Sequence, residues 1–137
     1  ALSGGQKKLV AIADILVMHP EVMILDEPTA ALDPKHTRIV QDIISKLTER
    51  GITVLMATHD MDYAYGWADE IVLMHEGKVL RSGSPAEVCS DKQALEKTNL
   101  EMPSVLRLYE IMKEKGILPS GDKPPVDMRE LERRLSE

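Results

Sequence analysis

Residues Val22 to Leu25 form an unbroken apolar run that ends at two adjacent acids, Asp26 and Glu27, followed by Pro28. A run this short and this apolar suits a strand covered on both faces, as in a parallel sheet. Its flanks read as helices. Leu9, Ile12, Ala13, Leu16 and Val17 recur at the spacing of one helical face, and His19-Pro20 ends that pattern. Downstream, Asp33-Pro34 reads as a helix cap with proline at the first helical position. Val40, Ile43, Ile44 and Leu47 give this helix its apolar stripe, and Gly51 closes it. Ile52 to Ala57 is a second buried-strand candidate. Thr58-His59-Asp60 then leads into a short helix through Trp67, with Asp60 as its cap. Helix, strand, helix, strand, helix is the order of an α/β fold with a parallel sheet.

The pattern changes after residue 70. Glu70 to Met74 and Lys78 to Arg81 flank Glu76-Gly77, which reads as a β-hairpin. Ser84-Pro85-Ala86-Glu87 has capping-box spacing and starts another helix. Pro103 to Lys115 is a further helix, with Val105, Leu108, Tyr109 and Met112 on one face. Ser120 to Pro125 is a polar linker, and Asp127 with Glu130 opens a last short helix carrying Met128, Leu131 and Leu135.

Hydrophobic residues make up 43% of the 137, with no Phe and one Trp, so the core is built from aliphatic side chains, Met and Ala. The net charge is −6, and the tight cationic pairs are Lys7-Lys8 and Arg133-Arg134. That is not the concentrated basic surface a nucleic-acid backbone requires, so no nucleic-acid partner is expected. The single cysteine, Cys89, has no internal disulfide partner and fits a reducing compartment. No apolar run approaches the roughly 20 residues of a membrane span, so any membrane role is expected to come through a partner. The chain starts Ala1-Leu2-Ser3, without Met and inside what reads as a functional motif, so a cut chain is expected.

Three places carry chemistry. In Ser3-Gly4-Gly5-Gln6, two glycines just before a helix let backbone N–H groups approach a phosphate at the positive end of the helix dipole. The Ser3 hydroxyl can add a hydrogen bond. The same spacing also describes an ordinary capping box between Ser3 and Gln6, and both readings stand. Asp26 and Glu27 sit at the C-terminal end of the first strand, where ligands bind in open α/β sheets. Asp26 there suits Mg²⁺, which takes one or two carboxylates with water and phosphate oxygens. Neighbouring strand side chains point apart, so Glu27 is free for another task, the orientation of an attacking water. The alternative is a capping acid with a solvated neighbour. His59 ends the second strand and suits donation to a γ-phosphate, or is a plain polar edge. His19, His36 and His75 lack partners at metal-ligand spacing and read as surface residues.

Taken together, these pieces resemble the ATP-binding cassette (ABC) ATPases. Leu2 to Gln6 is similar to the signature motif, Val22 to Glu27 to the Walker B strand with its catalytic glutamate, Ala31-Leu32-Asp33 to the D-loop, and His59 to the switch histidine. The resemblance implies the C-terminal part of a P-loop NTPase cassette. Its ATPase part spans residues 1–90, a helical extension 91–119, and a linker with a tail helix 120–137. It implies ATP and Mg²⁺ as cofactors and a head-to-tail dimer with a second cassette. Ser3, Gly4, Gly5 and Gln6 would contact the other cassette's ATP. Asp26 would support Mg²⁺, Glu27 would polarise the water, His59 would hold the γ-phosphate, and Asp33 would couple the two sites. Membrane transporter subunits would be the other partners, at the cytoplasmic face of the membrane.

Thr98 to Pro103 and the helix after it are similar to the ATPases of cobalt and other energy-coupling-factor importers, with vitamin import as the alternative. A DNA-repair or chromosome-maintenance ATPase head is disfavoured by the absence of coiled-coil heptads. An interaction module built on the Val105-Leu108-Met112 face is a further alternative. Two departures stand out. The Gly-x-x-x-x-Gly-Lys-Ser/Thr phosphate loop is absent from the sequence, so the chain alone is expected to be inactive. Lys7-Lys8-Leu9 stands where many relatives carry arginine. In the family's sheet the phosphate-loop strand lies beside the His59 strand, so self-association through an open edge, or a rearranged sheet, is expected.

Overall fold

The computed structural model describes residues 3–118, 121 and 123–136; Leu2 of the signature-like motif and Ser120 and Asp122 of the linker lie outside them. The chain forms two compact units, Ala1–His59 and Asp60–Glu137.

In the first unit, helix α1 (Gly4–Leu16) precedes strand β1 (Val22–Asp26), helix α2 (Pro34–Glu49) and strand β2 (Thr53–Ala57). The strands pair in parallel, with Val22 opposite Thr53 and Asp26 opposite Ala57. Asp33 caps α2 with its carboxylate, Pro34 occupies the first turn, and Gly51 leaves the helix at φ 86°. Val40, Ile44 and Leu47 of α2, Ile12 of α1 and Met23 and Leu25 of β1 are buried. The expectation of strands covered on both faces is corrected. Among the described residues α2 packs against β2, and the alternate face of the sheet carries Val22, Ile24 and Leu55, which are 52%, 75% and 57% exposed. The helical stripe of α1 is also shorter than its pattern predicts, because the helix ends at Leu16 and leaves Val17 exposed as its C-cap.

The second unit holds helix α3 (Met61–Trp67), capped by the Asp60 carboxylate, then strands β3 (Ile71–His75) and β4 (Lys78–Gly83) in an antiparallel hairpin. Glu76 and Gly77 both have positive φ, 49° and 75°, as a two-residue hairpin turn requires. Helices α4 (Pro85–Cys89), α5 (Lys92–Thr98), α6 (Ser104–Glu114) and α7 (Met128–Ser136) follow. The Ser84–Glu87 capping box starts α4. Helix α5 is not anticipated above; its signals are the Asp91 cap and Asn99, which closes it at φ 59°. Ile71, Leu73, Val88, Cys89, Leu95, Val105, Leu106, Tyr109 and Leu131 belong to one buried cluster. Leu106 belongs to that buried face and Leu108 does not, so the predicted α6 stripe is rotated, and Val105 is not available as an interaction surface. No described helix is long and apolar enough to cross a membrane.

Candidate functional site

All eight residues singled out from the sequence lie in the first unit. Asp26 is the last residue of β1, exposed and on the same strand face as Val22 and Ile24. Glu27 leaves the strand in a left-handed conformation, φ 44°, with its N–H donating to the Ala57 carbonyl at 2.8 Å. A side chain with a Cβ pays about 1–3 kcal/mol for such a backbone, and it persists only where surrounding bonds hold it. The turn swings the Glu27 carboxylate to the end of β2. There it accepts from the His59 backbone N–H at 3.0 Å, from His59 Nδ1 at 2.6 Å and from the Thr58 hydroxyl at 3.4 Å. The two neighbouring acids are thus separated, and Glu27 and His59 are brought together.

The segment from Glu27 to Asp33 contains a second left-handed residue without glycine's freedom, Ala31 at φ 60°. Lys8 of α1 reaches it. Its Nζ donates to the carbonyls of Glu27, at 3.1 Å, and Ala30, at 2.7 Å. Lys8 is missing from the residues chosen above. The available signal is periodicity: it lies three residues after Gly5 and four before Ile12, both buried, and so on the inward face of α1.

At the start of α1 the capping box is realised. The Gln6 N–H donates to Ser3 Oγ at 3.2 Å, and the Ser3 N–H donates to Gln6 Oε1 at 2.9 Å. The Ser3 hydroxyl accepts in this bond, so its own proton stays available for a phosphate oxygen. Gly4 is exposed, with open space where a Cβ would stand. Gly5 is buried, and a Cβ there would lie 2.6 Å from the His36 ring, so its lack of a side chain serves close packing. His36 is therefore not a free surface residue. It is half-buried against Gly5, and its Nδ1 lies 2.5 Å from Asp33 Oδ2. Asp33 also accepts from the N–H groups of Lys35 and His36, each at 3.0 Å. The His36 backbone and ring bonds hold its carboxyl below the ordinary aspartate value.

Among the described residues no group of three His, Cys, Asp or Glu side chains is placed to hold a metal. A magnesium ion delivered with a nucleotide needs less, because phosphate and water oxygens fill most of its shell. Asp26, an exposed carboxylate at a strand end, fits that part. A depression lined by Leu16, His19, Leu47, Arg50 and Ile52 lies where the strands begin, at the opposite end from these carboxylates.

The chain is 45% identical over 123 residues to the energy-coupling factor transporter ATP-binding protein EcfA2 of Methanospirillum hungatei, covering 90% of this chain and 31% of that protein. It is 42% identical to the solved structure of cbiO1 from Clostridium perfringens, part of the ABC transporter complex cbiONQ. That match has a TM-score of 0.61 and covers 82% of this chain and 44% of that one. The chain belongs to the ABC ATPase family. A third ABC cassette, solved as a dimer in a post-hydrolysis state bound to ADP and Pi, matches at 38% identity with a TM-score of 0.56, over 61% of this chain and 36% of its own. Residues 1–63 also match the family described as "AAA domain, putative AbiEii toxin, Type IV TA system". That stretch holds every candidate site residue of this ABC ATPase chain, which spans less than half the length of the relatives it matches.

Proposed function

We propose that this chain is the γ-phosphate-sensing and water-activating part of the ATPase subunit of a membrane ABC transporter that energises import. The observation that carries the reading is the Glu27–His59 pair, held together at the C-terminal ends of two parallel strands. In a head-to-tail dimer, Ser3, Gly4 and Gln6 at the start of α1 would donate to the nucleotide of the second cassette, and Gly5 would keep that turn seated on His36. Asp26 would support the Mg²⁺ that accompanies ATP. Bound Mg²⁺ neutralises phosphate charge. Glu27 would orient the attacking water, and Asp33, at the start of α2, would couple the two sites. His59 would hold the γ-phosphate through Nε2, the ring nitrogen that is not turned to Glu27. Phosphoryl transfer is dominated by such positioning and charge stabilisation.

For the cargo, the resemblance of Thr98 to Lys115 to the ATPases of cobalt and other energy-coupling-factor importers supports cobalt or a related metal ion. A vitamin importer of the same energy-coupling-factor type is the second reading, and the likeness to EcfA2 supports that transporter type without choosing a cargo. On either reading the subunit would sit peripherally on the cytoplasmic membrane face, bound to transmembrane partners.

The test pairs two preparations. In the full-length protein, Glu27→Gln retains ATP binding and loses hydrolysis by roughly 10²–10⁴-fold, the usual worth of a general base. The present chain alone, without a phosphate loop, does not hydrolyse ATP and binds it weakly. Micromolar Mg-ATP affinity by isothermal titration of this chain, or full hydrolysis by the glutamine variant, overturns the reading.

A further inference from the structure

The loop between β1 and α2 carries both the carboxylate of Glu27 and the α2 cap, Asp33, and it contains two left-handed residues, Glu27 and Ala31. Its own hydrogen bonds are few. The Ala30 N–H donates to the Glu27 carbonyl at 3.2 Å and the Leu32 N–H to the Thr29 carbonyl at 3.3 Å, both long. Lys8 adds a tie from a distant part of the chain, at 3.1 Å and 2.7 Å, to the two carbonyls at either end of the Glu27–Ala30 turn. Hydrogen bonds from an ammonium are stronger than neutral ones. The neighbouring Lys7 is exposed, and its side chain makes no such tie among the described residues. A cation on the inward face of α1 is thus used to hold backbone, at the point where the backbone of Glu27 is least comfortable.

We infer that Lys8 is a positioning residue: its two bonds to the Glu27 and Ala30 carbonyls fix the strained loop and so aim the Glu27 carboxylate for water activation. The inference rests on the ATPase reading above. A loosened loop leaves Glu27 in place on average but spreads its carboxylate over geometries that do not react. A small misplacement of that kind is felt in the chemical step and not in nucleotide binding.

The experiment uses the full-length protein with Lys8→Met, which keeps the length and removes the donors, Lys8→Arg, which keeps a cation able to reach two carbonyls, and Lys7→Met, which removes a neighbouring exposed charge. Steady-state ATP hydrolysis and amide hydrogen exchange over residues 27–33 are measured for each. Lys8→Met is expected to lower kcat by about tenfold to a hundredfold with KM for ATP within about twofold of the parent. Exchange in the loop should quicken while β2 amides stay protected. Lys8→Arg should recover most of both, and Lys7→Met should match the parent. A rise in KM at unchanged kcat overturns the inference, as does Lys8→Met with parental kcat and exchange. If the parent protein hydrolyses no ATP, the ATPase reading and the catalytic half of the inference fall together, and the exchange data alone decide whether Lys8 holds the loop.

Discussion

Cys89 has no accessible surface, and burial pushes its thiol from the ordinary 9.0 up to about 11. Tyr65 belongs to the same cluster and is pushed from 10.0 to about 12, first by burial and then by the neighbouring Cys89. Both shifts favour the neutral form in the folded chain. Below pH 9 neither group ionises in either state, and the stabilisation is fully present. Above it the unfolded chain releases protons that the folded chain keeps, so stability falls as pH rises toward 11. The expected outcome is a thiol that ignores a disulfide reagent such as DTNB at pH 8 until the chain is unfolded, and a melting temperature that drops between pH 9 and 11. Replacement by Cys89→Ala should flatten part of that drop. Native-state labelling at the rate of the unfolded chain would show that the second unit is looser than its packing. At this scale the sequence is legible where a residue acts locally, as with the Asp33 and Asp60 caps and the Ser3–Gln6 box. It is not legible where the partner is distant. Nothing near Glu27 announces the left-handed turn that aims it at His59, and nothing near Gly5 announces the His36 ring.

Elements were readable to the extent that they bury one face against a neighbour close in sequence. Helix α2 follows its stripe and its caps, and the hairpin follows its Glu76-Gly77 turn. Coverage of the strands was not readable, because an apolar run says that a strand tends to be buried and not which element is present to bury it. Helix α7 is an instructive case. Its pattern offers Met128, Leu131 and Leu135, yet Leu131 is 1% exposed while the other two are 44% and 47% exposed. Within the helix Leu131 is thus the buried apolar residue, following the buried Pro125, and it is helped by Arg134, which donates to the Glu130 carboxylate and to the Lys123 carbonyl at 2.5 Å. Truncating a buried leucine to alanine costs about 2–5 kcal/mol when the site cannot collapse. Leu131 is the buried residue of α7 itself, so Leu131→Ala is expected to loosen the helix. Limited proteolysis should then cut near residue 125 in the variant and spare the parent, with a lower melting temperature. Equal cleavage in both would mean that the polar contacts of Arg134 suffice.

At the scale of the chain, the first unit is a sheet of two strands with one covered face. Among the described residues β2 has β1 as its only ladder partner, so its other edge presents unpaired N–H and C=O groups. Beside that edge the open face carries Ile24 and Leu55, more than half exposed. An unpaired edge and an apolar face on the same short sheet are a template for another chain. The relatives are more than twice as long, so a longer protein has further chain to lay against this surface. The isolated chain is therefore expected to associate, with a light-scattering mass above the 15.3 kDa of a single copy and rising with concentration. Two variants separate the causes. Leu55→Lys puts a charge on the open face and should shift the population toward the single copy if the face drives contact. A proline at Thr53 removes one β2 backbone donor, though Thr53 N–H already bonds the Glu21 carbonyl at 2.9 Å, so this change strains the pair with β1 and is the less informative of the two. A parent chain that stays a single copy at all concentrations would mean that edge and face are satisfied within one molecule.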